Sequence, residues 1–331
     1  MRSARLINSL RAMAAAGAMM LVSGPAVAAE PEPAGPSPRT EVTISSVDLD
    51  GPAISSVKVT VRNAAPHRLR SLKVSLHGPT GWAVQPPVRS VPGSLAAGAS
   101  ADAAFRIQVP EKRAGFTVRT FTATAEYRGG DGLGSATGTR SERTGTPQPS
   151  LAAAYNSVAI TDESNTKPGN YDGEGNSFSA QKLADVGLTR KAAVSALGAE
   201  LTWPDVPAGS KDNVSSAGQA ITLAGKGSKL VFLGSGVTSG AVGSAAVHYT
   251  DGTTTSGSFG FPNWSFHSVT AHGATLVKST NGRNRPDGYG NAGIDYNIFA
   301  NSIPIDASKT VELVVLPANG NIHVFDMAIA P

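Results

Sequence analysis

The 331-residue chain carries 28 basic and 24 acidic residues and no cysteine. The lack of cysteine excludes a disulfide framework, a thiol nucleophile and thiolate metal ligands. With 37 glycines, 22 prolines and only 16% charged residues, the composition favours short strands joined by turns, and it argues against a disordered or nucleic-acid-binding chain.

Residues 1–29 predict a secretory signal peptide. Arg2, Arg5 and Arg11 form a basic start, an apolar run of 11 residues follows, and small residues over 26–28 supply a cleavage site. The run is too short for a transmembrane helix, which needs about 20 apolar residues. Without the three arginines the net charge is near +1. We therefore expect a secreted, extracellular protein with no nucleic-acid or membrane partner.

Two breaks divide the rest of the chain. Residues 30–40 are Pro-rich and predict an extended linker. Residues 129–152 contain many Gly, Ser and Thr residues and hardly any large apolar side chain, which predicts a flexible linker. The blocks that remain, residues 41–128 and 153–331, are expected to fold as two modules on a flexible joint, in a protein that is monomeric.

Apolar residues in the first block alternate with polar ones. Val57, Val59 and Val61 follow this period of two, as do Phe105 and Ile107, and turn-forming Gly and Pro residues separate the runs. About seven short strands in a block of this length are typical of an immunoglobulin-like β-sandwich.

The second block also has mostly strand patterns. Asp251-Gly252 stands between two β-prone runs and predicts a hairpin with a two-residue primed turn. One short helix is predicted over residues 179–186, with Ser179 as its N-cap and Gly187 as its stop. Antiparallel strands with a single helix favour a jelly-roll β-sandwich, so the whole chain is expected to be all-β.

Short motifs make the resemblance to known families specific. Pro79-Thr80-Gly81-Trp82 and Leu95-Ala96-Ala97-Gly98 resemble the NPCBM-associated, Ig-like domain of alpha-galactosidases. The second block is similar to a galactose-binding-like accessory module of actinobacterial glycoside hydrolases. That similarity rests on residues 155–162, 164–170, 172–173, 201–206 and 316–320. The resemblance implies an extracellular, carbohydrate-linked and non-catalytic protein.

The sequence predicts two sites, one for carbohydrate and one for calcium. Sugar recognition needs an aromatic ring for stacking and polar groups for the hydroxyls. The residues we expect to bind carbohydrate are Asn263, Trp264, Arg283, Arg285 and Tyr289, with Trp264 exposed in a loop. The residues that offer hard oxygen ligands for calcium are Asp162, Asn165, Asp172, Glu174 and Asn176. The resemblance implies a structural calcium near this loop, and the alternative is a loop fixed by its own Asx turns.

No motif predicts catalysis. Residues 288–293 match the letters of a dinucleotide fingerprint, but a polar loop precedes them and a strand pattern follows, whereas the fingerprint needs a strand before and a helix after. We therefore expect a protein that binds a glycan or cell-wall polysaccharide and is not an enzyme. The alternatives are a spacer or surface-assembly protein without ligand, and a glycoside hydrolase homologue with an unrecognised site.

Overall fold

The regular elements of both blocks are almost all β-strands in the computed structural model, which describes residues 40–111, 115–129, 132–239, 241–265 and 269–331. The predicted signal peptide, and the Pro-rich linker up to residue 39, lie outside the described residues. Among the residues described, no helix is long and apolar enough to cross a membrane.

The first block is an immunoglobulin-like sandwich of two antiparallel sheets. Its strands are β1 (Thr40–Ile44), β2 (Ile54–Asn63), β3 (Leu69–His77), β4 (Ala83–Gln85), β5 (Val88–Ser90), β6 (Ser94–Leu95), β7 (Ser100–Gln108), β8 (Thr117–Gly129) and β9 (Gly132–Thr144). One sheet has the order β1-β2-β7-β4 and the other β5-β3-β8-β9, with β6 paired to β3. Val57, Val59 and Val61 are fully buried between the sheets, as their alternation predicts.

The prediction of a flexible linker over residues 129–152 is wrong for most of its length. Strand β9 lies inside that range and pairs with β8 from Gly129↔Gly132 to Thr117↔Thr144. The backbone makes these ladder bonds, so a strand does not require large apolar side chains. Glycine is needed at position 138, because a Cβ there would overlap the carbonyl oxygen of Val42. Beyond β9, Gln148 already bridges to Ile221 of the second block.

The second block is built on two sheets. Its elements are β10 (Ile160–Thr161), β11 (Phe178–Ser179), α1 (Ala180–Asp185), β12 (Ala193–Ala196), β13 (Ala199–Thr202), β14 (Val214–Ser215), β15 (Ala220–Gly225), β16 (Lys229–Gly236), β17 (Ala241–Tyr249), β18 (Thr254–Phe261), β19 (Thr275–Arg285), β20 (Gly288–Pro304), β21 (Val311–Val315) and β22 (Ile322–Ala330). The strand orders are β14-β22-β16-β20-β19 and β15-β21-β17-β18. All-β architecture is therefore confirmed for both blocks.

The predicted hairpin is present as β17 and β18, but its turn differs from the prediction. Gly252 has a φ of 83°, whereas Asp251 is not in the left-handed region. Gly252 N–H donates to the Tyr249 carbonyl, and Tyr249 N–H donates to the Thr253 carbonyl. This pattern is a three-residue loop with a type I turn and a left-handed glycine, rather than a two-residue primed turn.

The predicted short helix is confirmed. The Ser179 hydroxyl accepts a hydrogen bond from the Lys182 N–H at 3.1 Å, as an N-cap does. At the other end Gly187 has a φ of 85°, and the Leu188 N–H donates back to the Leu183 carbonyl. These features are those of a Schellman C-cap.

The five-stranded sheet is buried on both faces. Along β16, Leu230 and Phe232 pack between the two sheets, whereas Val231 and Leu233 pack on the opposite side. A third layer, formed by residues 155–206 with α1 and the β12–β13 hairpin, covers that opposite side and encloses a second core. The prediction of a simple two-sheet sandwich did not include this layer.

Candidate functional site

Trp264 is a core residue, so its predicted role as an exposed stacking platform is wrong. Its side chain is only 2% exposed. The indole ring lies 4.7 Å from the ring of Tyr296, 4.8 Å from Phe178 and 5.0 Å from Tyr171, measured between centroids. The reason is the third layer, which packs against the ring and encloses it in the second core.

The other predicted sugar-binding residues have partners within the protein. Asn263 is 9% exposed, and its side-chain oxygen accepts the Ser265 N–H at 2.7 Å, so it fixes a turn. Arg285 pairs with Asp287 at 3.0 Å. The Tyr289 hydroxyl donates to the Asn281 carbonyl at 3.0 Å. These side chains therefore do not surround an exposed aromatic ring on which a sugar could stack.

Arg283 links the predicted sugar-binding set to the predicted calcium set. Its guanidinium lies 3.4 Å from the Asp172 carboxylate, and the two side chains are 18% and 10% exposed. The same guanidinium stands 5.7 Å from the centre of the Tyr296 ring. A positive charge thus already accompanies Asp172, one of the predicted calcium ligands.

Two carboxylates of the predicted calcium set, Asp162 and Asp172, already accept hydrogen bonds from their own loops. Asp162 accepts hydrogen bonds from Ser164 and Gln181, which lower the pKa of its carboxyl. Asp172 accepts from Glu174 N–H at 3.0 Å and from the Asn176 amide at 2.8 Å. Each carboxylate therefore closes an Asx-type loop of its own. Within the described ranges, no three His, Asp or Glu side chains gather to hold a metal ion.

A cleft of about 560 Å³ opens at one end of the second sandwich. Its floor consists of the buried side chains of Tyr171, Val237 and His323. The rim is polar and comes from four separate segments. The rim residues are Asn156, Ser157, Val158, Pro168, Asn170, Asp172, Gly173, Ser215, Gly320 and Asn321. Amide, hydroxyl and carboxylate groups thus surround a floor with two rings.

Segments that carry the sequence resemblance supply most of this rim. The quoted ranges within residues 155–173 and the range 316–320 lie far apart along the chain, yet both stretches contribute to the cleft. The residues predicted to bind sugar, Asn263, Trp264, Arg283, Arg285 and Tyr289, lie outside these segments. Their Asn-, Ser- and Gly-rich composition was the available signal, since loops positioned by a rigid sandwich commonly carry binding residues.

A chain of buried hydrogen bonds lies behind the cleft floor. The Asp212 carboxylate accepts the Ala159 N–H at 2.9 Å and the Ile160 N–H at 2.8 Å. It also accepts the Asn213 amide at 2.8 Å, and the Asn213 oxygen lies 2.7 Å from His323 Nδ1. Burial raises the pKa of Asp212 to about 7 and lowers the pKa of His323 to about 4. The imidazole is therefore neutral at pH 7.

The two blocks match different family models. Residues 53–128 match the NPCBM-associated, NEW3 domain of alpha-galactosidase. Residues 147–331 match the AziU2-like beta-sandwich domain. The resemblance inferred from the sequence is confirmed by these matches.

No curated protein matches the chain. A crystal structure of the YadV chaperone aligns over 87% of this chain and 98% of its own, with 11% identity and a TM-score of 0.22, which carries no argument about fold or function. The AziU2-like model, in contrast, spans more than half of the 331 residues and the whole of the cleft. The chain belongs to the family of AziU2-like β-sandwich domains.

Proposed function

We propose that this is a secreted, non-catalytic, carbohydrate-associated protein that binds a glycan in the cleft of its second sandwich. The observation that carries the proposal is the composition of the cleft, in which polar rim groups surround a floor of Tyr171, Val237 and His323. Amides and hydroxyls at the rim suit the alternating donors and acceptors of sugar hydroxyls.

The family match of the first sandwich supports a link to carbohydrate. Its model is named for a domain of alpha-galactosidase. The predicted signal peptide over residues 1–29 supports secretion.

The cleft offers binding groups rather than a catalytic pair. Hydrolysis of a glycoside requires two carboxylates that face each other across the scissile bond. Asp172 is the rim carboxylate, and it is held by Arg283 and Asn176. Asp212 lies behind the floor, and three donors surround its oxygens. These contacts support binding without turnover.

Titration of the full-length protein with a panel of soluble glycans, together with retention on insoluble polysaccharides, tests the proposal. The variants N170A and N321A remove rim amides, and each should weaken binding about three- to tenfold. The matched control is N165A, an exposed Asn to Ala change in the same loop that does not line the cleft.

Equal binding by all three variants would place the glycan elsewhere. Failure of the unaltered protein to bind any glycan would favour the spacer or surface-assembly alternative. Release of an aryl alcohol from aryl glycosides would contradict the non-catalytic assignment.

A further inference from the structure

His323 stands at the floor of the cleft with one ring nitrogen engaged by the protein. It lies on β22, on the face that packs against the third layer, and its side chain is 3% exposed. Its ring centre is 4.3 Å from that of Tyr171, and the planes are tilted by 53°. The two rings together with Val237 close the bottom of the cleft.

The partners of Asn213 determine which nitrogen of His323 carries the proton. The Asn213 amide nitrogen points at two oxygens, the Asp212 carboxylate at 2.8 Å and the Ser157 carbonyl at 3.1 Å. Only an NH₂ group satisfies both acceptors, so the oxygen of Asn213 is the atom that faces His323. An oxygen there requires a donor at 2.7 Å, which is Nδ1–H.

This arrangement leaves the lone pair on Nε2. In neutral imidazole one nitrogen donates and the other accepts, so a fixed Nδ1–H makes Nε2 an acceptor. Nothing in the described part of the chain donates a hydrogen bond to Nε2. The lowered pKa of His323 keeps this acceptor uncharged well below neutral pH.

We propose that Asp212 and Asn213 fix the tautomer of His323 so that its Nε2 accepts a hydrogen bond from a hydroxyl group of a neutral saccharide in the cleft. The inference rests on the proposed function and names the chemistry at its floor. A neutral acceptor selects a hydroxyl donor, and it gives no charge attraction to a carboxylate or phosphate ligand. Asp212 and Asn213 act as positioning residues, because neither needs to touch the ligand.

Long-range ¹H–¹⁵N NMR of the full-length protein tests the tautomer directly. The His323 signals are assigned by their loss in H323N. At neutral pH we expect Nδ1 to be protonated and Nε2 to be unprotonated. Observation of an Nε2–H tautomer in the free protein would overturn the inference, whatever the protein binds.

Addition of methyl galactoside and methyl glucoside, followed by their monodeoxy analogues, tests the contact. A hexoside that binds should shift the Nε2 resonance in the direction of hydrogen bonding, and one monodeoxy analogue should lose about tenfold in affinity. H323N retains a donor toward Asn213 and has no atom at the Nε2 position. It should bind the parent sugar about tenfold more weakly and should not distinguish that analogue.

H323Q places an amide oxygen near the Nε2 position and should recover part of the affinity. If cleft resonances shift with a hexoside but Nε2 does not, the inference fails and the proposed function stands. If neither hexoside nor any glycan of the panel shifts a cleft resonance, the proposed function fails and the hydroxyl contact fails with it.

Discussion

Arg283 donates to Asp172 over 3.4 Å and so joins β19 to the loop between β10 and β11. Both side chains are largely enclosed, at 18% and 10% exposure. Asp172 also lies on the cleft rim. The pair therefore anchors one wall of the cleft to the five-stranded sheet.

Removal of the arginine should destabilise that wall. In R283A the enclosed Asp172 carboxylate loses its counter-charge, and we expect a loss of about 1–3 kcal/mol in the free energy of unfolding. Denaturant titration measures it. The matched control is R285A, whose ion pair with Asp287 is exposed and worth at most about 1 kcal/mol. Equal effects of the two changes would contradict a structural role for the Arg283–Asp172 pair.

Trp264→Ala should cost about 3–5 kcal/mol of stability, since the ring fills the second core beside Tyr171, Phe178 and Tyr296. Y289A, on the half-buried ring near the β19–β20 tip, is the control and should change stability by about 1 kcal/mol or less. Thermal and denaturant unfolding measure both. A Trp264→Ala protein of normal stability that no longer binds glycan would restore the original platform hypothesis.

Chelation should leave the melting temperature unchanged. Asp162 and Asp172 already accept hydrogen bonds from their own loops, and Arg283 neutralises the second of them. A bound calcium at 100 times its dissociation constant would add about 2.7 kcal/mol, which calorimetry with and without EDTA detects easily. A lower melting temperature in EDTA that calcium restores would show that the calcium prediction from the sequence was right.

Acid should weaken the fold through His323. Its pKa in the folded protein is about 4, below the ordinary value of 6.5. Between these values the unfolded chain binds a proton that the folded protein does not, so stability rises with pH. The contribution of His323 to the free energy of unfolding is complete above about pH 6.5. It is lost as the pH falls toward 4, by up to about 3 kcal/mol. The measurement is denaturant unfolding of the protein and of H323Q across this range.

H323Q should lack this part of the pH dependence. Asp212 titrates in the opposite sense, because burial raises the pKa of its carboxyl to about 7 and its contribution falls as the pH rises toward that value. The difference between the protein and H323Q therefore isolates the histidine. An identical pH profile for both would count against the low pKa of His323.

Trypsin should spare the segment that the sequence marks as a linker. Arg140 and Arg143 lie in β9, which is paired along its length with β8. The Arg143 guanidinium also lies 2.6 Å from Glu312 of the second sandwich. Cleavage needs locally unfolded backbone, so neither site should be among the first cuts identified by mass spectrometry. Early cleavage after either residue would support the flexible joint.

Local rules in the sequence predicted the local structure well. The Ser179 cap, the Gly187 stop and the alternation of Val57, Val59 and Val61 each depend on neighbours in the chain. The third layer was missed because it depends on long-range packing. The run Leu230–Leu233, apolar on both faces of one strand, was the signal for a sheet covered on both sides.

The candidate site was likewise predictable in its local segments but not in its long-range arrangement. Its Asn-, Ser- and Gly-rich segments were recognisable, but the cleft exists only where Asn156, Asn170 and Asn321 meet in space. The hydrogen-bond chain from Asp212 to His323 spans residues more than a hundred positions apart. No periodicity or spacing rule relates them.

Strand β16 has a consequence for how the second sandwich unfolds. Its alternate side chains enter two different cores, with Phe232 stacked on Phe259 at 4.0 Å on one side and Val231 and Leu233 beneath the third layer on the other. Loss of either core removes the packing on one face of the same strand. The sheets and the covering layer should therefore melt in a single cooperative transition, without a populated intermediate in which the cleft alone is lost.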